Sequence, residues 1–207
     1  AYNFPQGVVA MQYREVAAHR PGLLTKTGLK TFVDPRISGA KLNSCTKEDL
    51  VEVVKFNGEE WLHYKAYPFN IALIRGSYGD AEGNISMEQE PAYLEALQIA
   101  QAVHNCGGKV IVQVKYAART GSLDPKKVRI PGILVDAVVV CPEQVQTIEG
   151  EYDPALTGDL KIPEDSIAPM KLDQRKVVAR RAAMEMRPGM IMNLGFGMPD
   201  GVAKVAA

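Results

Sequence analysis

The sequence predicts an α/β fold built on mixed sheets, and three features carry that expectation. A continuous apolar stretch, Phe69 to Arg75, empties into a turn-rich segment, Gly76 to Asn84. A helical pattern over Glu90 to Asn105 closes on Gly107-Gly108, and a second apolar stretch, Val110 to Val114, follows at once. Strand, helix, double glycine and strand in that order form a parallel unit, because parallel strands need a crossover and the helix supplies it. Third, a proline-rich break precedes a fresh ordered pattern near Leu172. The expected organisation is an α/β first domain over residues 1–148, an interdomain linker over 149–171 and the opening of a second domain over 172–207.

The polar stretch from Gln12 to His19 predicts a short helix ended by Pro21-Gly22. Leu23 to Lys30 reads as a strand. Lys30 to Asn43 mixes turn formers with single charges, in Asp34-Pro35-Arg36 and Gly39-Ala40-Lys41, and is expected to be a loop. Thr46 followed by Asp49 resembles a capping box and predicts one helical turn. Val51, Val53 and Phe56 before Asn57-Gly58, with Trp61, Leu62 and Tyr64 after it, predict a hairpin, since Asn-Gly accepts the positive φ of a tight turn.

Ligands of α/β proteins gather beyond the carboxyl ends of the strands, so Asp80 and Glu82, just after the Phe69–Arg75 strand, are candidate site residues. Solvated turn carboxylates are the ordinary alternative. Leu94, Leu97, Ala100 and Val103, widened by Ile99, form the buried stripe of the expected helix. Ile133 to Val140 reads as a further strand with Asp136 in its middle. Glu149 to Lys171, with Pro154, Gly158, Pro163 and Pro169, suits a linker. Gln174 to Met186 is an amphipathic helix, with Val177, Val178 and Ala182 set against Arg175, Lys176, Arg180, Arg181 and Glu185. Pro188-Gly189 ends it, Met190 to Leu194 is expected to be a buried strand, and a further helix starts near Asp200. A helix, a strand and part of a helix cannot enclose a core, so the polypeptide is expected to continue past Ala207.

Composition removes several function classes. The 207 residues carry 24 Lys and Arg against 24 Asp and Glu, without the concentrated basic face of a nucleic-acid binder. Cys45, Cys106 and Cys141 are widely spaced, as are His19, His63 and His104, which argues against a disulfide scaffold or a metal site and suits a reducing cytoplasm. No apolar run approaches the roughly 20 residues that span a bilayer. Ala1-Tyr2-Asn3-Phe4-Pro5 has no signal-peptide pattern and no initiator Met, so the chain is expected to begin inside a longer protein.

Gly195-Phe196-Gly197-Met198-Pro199, between an expected strand and a helix, is the most suggestive turn. Its glycines let backbone approach a ligand closely, and the amides of the following helix favour an anion or oxyanion. A plain strand-to-helix turn explains it as well. It is a poor dinucleotide fingerprint, since Asp200 stands where the third glycine would be, and no Walker sequence occurs.

These residues also carry a specific resemblance. Leu172-Asp-Gln-Arg-Lys-Val-Val-Ala-Arg-Arg-Ala-Ala-Met-Glu-Met-Arg-Pro-Gly189, leading into Asn193-Leu-Gly-Phe-Gly-Met-Pro199, resembles the entry to the second catalytic domain of the family I coenzyme A transferases, nearest the single-chain bacterial enzymes for propionate, acetate and acetoacetate. Colinear agreement continues at Ala1-Tyr-Asn-Phe-Pro-Gln-Gly7, Thr31-Phe-Val-Asp-Pro-Arg36, Thr46-Lys-Glu-Asp-Leu50, Ala72-Leu-Ile-Arg-Gly76, Ile130-Pro-Gly-Ile-Leu-Val-Asp136 and Glu151-Tyr-Asp-Pro-Ala-Leu-Thr-Gly158.

The resemblance implies a coenzyme A transferase domain lacking its glycine-rich entrance, followed by the start of a second, similar domain. It implies a ping-pong exchange through a glutamyl thioester, with coenzyme A thioester as substrate and no tightly bound cofactor. The nucleophilic glutamate, in a Glu-Ser-Gly or Glu-Thr-Gly segment, is expected beyond residue 207; none of Glu143, Glu149, Glu151, Glu164 or Glu185 has that setting. Asn193, Gly195, Gly197 and Met198 match the loop facing the substrate cleft, and Asp80, Gly83 and Asn84 match a first-domain loop near the interdomain region. Partners implied are acyl-CoA, short-chain carboxylates, the rest of the chain and further copies in a homo-oligomer, with no nucleic acid and no membrane. A non-catalytic α/β binding module is the alternative of a different class; a continuation without the Glu-Ser-Gly or Glu-Thr-Gly segment would favour it.

Overall fold

The computed structural model describes residues 1–147, 150–195 and 197–206. The expected first linker residue, Glu149, and the middle of the glycine turn, Phe196, lie outside the described residues. The chain divides into two compact units, Ala1–Thr157 and Gly158–Ala207.

The first unit opens with helix α1 (Gln6–Ala17), longer than expected because Val8, Gln12 and Val16 recur at one-turn spacing and are all buried. Strand β1 (Gly22–Thr25) is half the expected length, since a tight turn sequence starts at Lys26. The hairpin forms where it was expected, as β2 (Val51–Phe56) and β3 (Glu59–Lys65), with Asn57 at φ 51 and Gly58 at φ 79 in its turn. These strands make an antiparallel sheet of order β1-β3-β2. Its inner face buries Leu23, Val51, Leu62 and Tyr64 with Val8, Val33 and Ala40.

No helical turn forms at Thr46. Its amide and its hydroxyl both donate to Asn43 Oδ1, at 3.0 and 2.8 Å, which uses the cap in an Asx-type turn. The Lys30–Asn43 loop is built on Asp34, whose carboxylate accepts from the amides of Lys30 (2.9 Å) and Arg36 (3.1 Å) and from the Arg36 guanidinium. Burial would push this carboxyl up, but the Arg36 guanidinium, the largest influence, holds it well below the usual carboxylate range.

A second sheet has the order β7-β5-β4-β6-β8. Its parallel centre is β4 (Ile71–Gly79), β6 (Lys109–Ala117) and β8 (Ala137–Val140), with β5 (Ile85–Ser86) and β7 (Val128–Ile130) added antiparallel. The mixed α/β expectation therefore holds, including the crossover through helix α2 (Ala96–Asn105). The helix starts later than its periodicity suggested, because Pro91 precedes it and Leu94 sits at φ 45, a left-handed value that interrupts a helix. Strand β4 is longer than expected: Gly76 and Gly79 lie inside it, and a Cβ on Gly76 would come within 2.4 Å of Ile85. Glycine here permits close strand packing rather than a turn. Ile133–Val140 splits into a 3-10 turn (Gly132–Leu134) and β8, and Asp136 lies between them. Its carboxylate accepts from the Val110 amide and Lys109 Nζ at 2.9 and 2.7 Å. Ala72, Ile85, Ala100, Val103, Val110, Val112, Val114 and Ile130 fill the core between sheet and helix.

The first unit ends in a single turn, α3 (Pro154–Thr157). The second unit contains α4 (Gln174–Ala183), capped by Asp173, whose carboxylate accepts from the Lys176 amide at 2.9 Å. It also contains α5 (Gly201–Ala206). The two helices approach closely enough that a Cβ on Gly201 would lie 3.2 Å from Ala179. The strand expected at Met190–Leu194 does not form, and Ile191 is 99% exposed. A strand is held by a neighbour's backbone, and the second unit contains no strand among its described residues. No helix is long and apolar enough to cross a membrane among the described residues.

Candidate functional site

The sequence-predicted site residues fall into two clusters, one in each unit. In the first, β4 delivers Asp80 to the carboxyl end of the parallel strands and the chain turns back through Gly83 (φ 82) into β5. Asp80 is 4% exposed. Its Oδ1 accepts from the amides of Glu82 (3.0 Å) and Asn84 (2.9 Å), and its Oδ2 from Asn84 Nδ2 (3.1 Å). Asn84 Oδ1 in turn accepts from the Gly132 amide at 3.0 Å. The loop thus clasps the 3-10 turn, and so tightly that a Cβ on Gly132 would lie 2.0 Å from the Glu82 carbonyl oxygen.

Burial would raise the Asp80 carboxyl, but hydrogen bonds from Asn84, Glu82 and Gly121 outweigh it and hold the group below its ordinary value. An ionised carboxylate has about four acceptor positions, and the Glu82 and Asn84 donors take most of them. Asp80, Gly83 and Asn84 are brought together, and Asp80 spends most of its acceptor capacity as a scaffold for its own loop. Beside the loop, Asp80–Gly83 and Val135–Val138 line an open polar cleft of about 320 Å³.

In the second unit Asn193, Gly195, Gly197 and Met198 are exposed, on the segment that joins α4 to α5. Gly197 has φ 98, which requires glycine, and a Cβ on either glycine would meet nothing within 4 Å. This is an open backbone surface that a ligand can approach. Arg175 of α4 braces it by donating to the Gly197 carbonyl at 2.8 Å and pairing with Asp200. The amides of Gly201 and Val202 turn back to Met198 and Pro199 at 3.3 and 3.0 Å, so those two are not available to an anion. Among the described residues no group of three or more His, Cys, Asp or Glu is placed to hold a metal ion.

Comparison with known proteins matches this fold to one family. The family model "Coenzyme A transferase" covers residues 1–141. The caffeate CoA-transferase of Acetobacterium woodii is 50% identical over 206 residues, 98% of this chain and 39% of that protein. The acetate CoA-transferase YdiF of Escherichia coli K12 is 49% identical over 207 residues, 100% of this chain and 39% of the relative. A crystal structure of the acyl-CoA transferase YdiF apoenzyme from Escherichia coli O157:H7 superposes with a TM-score of 0.90 at 48% identity, over 100% of this chain and 39% of that one. The chain belongs to the coenzyme A transferase family, and it spans 39% of the length of these relatives.

Sequence reasoning missed the polar cluster around Arg75, Glu90, Gln144 and Gln146. Its only signal was Arg75 closing an otherwise apolar strand; the partners lie 15 to 71 positions away.

Proposed function

We propose that the protein containing this chain transfers coenzyme A from a short-chain acyl-CoA to a carboxylate acceptor. The observation that carries the reading is the match over 98–100% of the chain, at 49–50% identity, to relatives named as CoA-transferases for caffeate and acetate. A glutamate carboxylate outside residues 1–207 attacks the thioester carbonyl, expelling coenzyme A thiolate and leaving an acyl-glutamyl anhydride. The thiolate attacks the glutamyl carbonyl, the first carboxylate departs, and a glutamyl thioester remains. The acceptor carboxylate then runs the same steps in reverse. Each step exchanges one activated acyl bond for another, so the thioester's free energy is conserved rather than lost to water.

In this reading the loop of Asn193, Gly195, Gly197 and Met198 lines the thioester cleft with backbone. The Asp80, Gly83 and Asn84 loop keeps the first unit in shape beside the interdomain region. The intact enzyme is a cytoplasmic homo-oligomer, and residues 1–207 alone are inactive. The test is to mix the full-length protein with acetyl-CoA and propionate and follow propionyl-CoA. Ping-pong kinetics, with loss of activity when borohydride is added after acyl-CoA but not before, are expected. Transfer without a trappable intermediate would refute the mechanism, and no transfer to any short-chain acid would refute the function.

A further inference from the structure

The first unit carries a partly buried polar cluster against β4 that neither the site loops nor the transfer chemistry uses. Arg75 and Glu90 form its centre, with side chains 38% and 6% exposed. Arg75 Nε and Nη2 both reach Glu90 Oε2, at 2.7 and 2.6 Å. Its Nη1 donates to the Val145 carbonyl at 3.0 Å and its Nη2 to the Gln146 carbonyl at 2.7 Å. The guanidinium lines a hollow of about 310 Å³ with Leu73, Met87, Tyr93 and Leu94, which invites an anion-site reading. Each of its three nitrogens is already engaged, and Glu90 neutralises its charge, so an acid entering the hollow would find no free donor fork.

What Arg75 holds is the chain segment that crosses the sheet after β8. Gln144 and Gln146 on that segment are 7% and 6% exposed. Gln144 Nε2 donates to the Gly76 carbonyl (2.8 Å) and to Glu90 Oε1 (3.1 Å), while its Oε1 accepts from Gln113 (3.0 Å). Gln146 Nε2 donates to the Gln89 carbonyl at 2.8 Å, and its Oε1 accepts from the Asp153 amide at 2.9 Å. Side-chain amides, one guanidinium and the Lys115–Glu151 ion pair at 3.4 Å are among the bonds that attach this segment to the sheet, in place of a strand ladder among the described residues. Such a segment can open without breaking the sheet, because its bonds belong to a separate set.

We propose that Arg75, neutralised by Glu90, is the pin of a latch: it seats residues 144–147, with 150–153 tied to them, on the first unit as a strap and sets how readily that strap lifts. The pairing also serves Glu90, whose buried carboxylate would otherwise lack a counter-charge. The fork matters as much as the charge, since one planar group must reach a carboxylate and two successive carbonyls at once.

Hydrogen exchange on the full-length protein tests the latch, independently of whether the protein transfers coenzyme A. The double variant Arg75→Met with Glu90→Met removes the pin without leaving a buried charge unpaired. Amides of 144–147 and 150–153 are expected to exchange on the order of tenfold faster or more, while those of β4 and β6 keep their protection. Arg75→Lys retains the charge but not the fork, and is expected to hold the sheet's protection while still releasing the strap. Unchanged strap protection in the double variant would overturn the proposal. So would an equal rise over strap and sheet, which would make the pair an ordinary part of the core, or full retention of strap protection by Arg75→Lys.

Discussion

Exchanging the partners across the Asp80–Asn84 clasp should be far less harmful than changing either alone. Asp80→Asn supplies one acceptor where two were used. If the new amide keeps its oxygen on the Glu82 and Asn84 amides, its NH2 meets Asn84 Nδ2 across a contact that is now 3.1 Å. Turning the Asn84 amide over removes that clash but points NH2 at the Gly132 amide, which now donates to Asn84 Oδ1. Either arrangement leaves a buried donor unpaired, at a cost of about 1–3 kcal/mol. Asn84→Asp alone sets two carboxylates against each other, and one must take up a proton or move away, at comparable or greater cost. Together the substitutions restore donor to acceptor: the new amide at 80 donates to the new carboxylate at 84, which also accepts from Gly132. The coupling between the two sites should therefore be favourable by about 1–3 kcal/mol. Urea unfolding followed through the single tryptophan, Trp61, which lies in the same unit, gives the four midpoints of the cycle. Additive losses in the double variant would refute the clasp and with it the scaffold role of Asp80.

Asp34→Ala should cost about 2–4 kcal/mol by stranding the Lys30 and Arg36 amides, with little added for the half-exposed Arg36 pair, and thermal unfolding would show it. Because the Asp34 and Asp80 carboxyls titrate lower folded than unfolded, their stabilisation is present above about pH 4 and is lost as pH falls through their depressed values. Asp34→Ala should flatten that acid limb, and an unchanged slope would refute the linkage. Tyr64 behaves in the opposite sense: burial, helped by the Asp34 charge, pushes its phenol from 10.0 up to about 12. Its contribution is complete below pH 10 and fades as pH rises through about 12, so Tyr64→Phe should remove stability loss in that window, as read by alkaline denaturation. Gly195→Ala should leave stability within about 0.5 kcal/mol, because a Cβ there meets nothing, yet lower transfer by the full-length enzyme if the loop lines the cleft. Unaltered kcat and KM would remove Gly195 from the site.

The hairpin of β2 and β3 was legible because its cause is local: Asn57 and Gly58 take positive φ with little strain, and the flanking residues alternate. Helix α2 was legible for the same reason, apart from its start, where Leu94 in a left-handed conformation overrode the periodicity. The short strands β5 and β7 were not, since two or three residues have no period; their pairing with each other and with β4 is what makes them strands. Thr46 shows the reverse error, a sound helix-start signal diverted because Asn43 took the donors first.

The sequence by itself determined the family and the grouping of Asp80, Gly83 and Asn84 in one turn, because these depend on residue identity along short stretches. Only the tertiary structure decided that Asp80 is a clasp turned on its own loop, that Arg75 grips carbonyls 70 and 71 positions away, and that Met190–Leu194 stands outside any sheet among the described residues. Periodicity records which face of an element is apolar. It does not record which distant backbone will satisfy a buried donor or acceptor, and in these three places that partner sets the outcome.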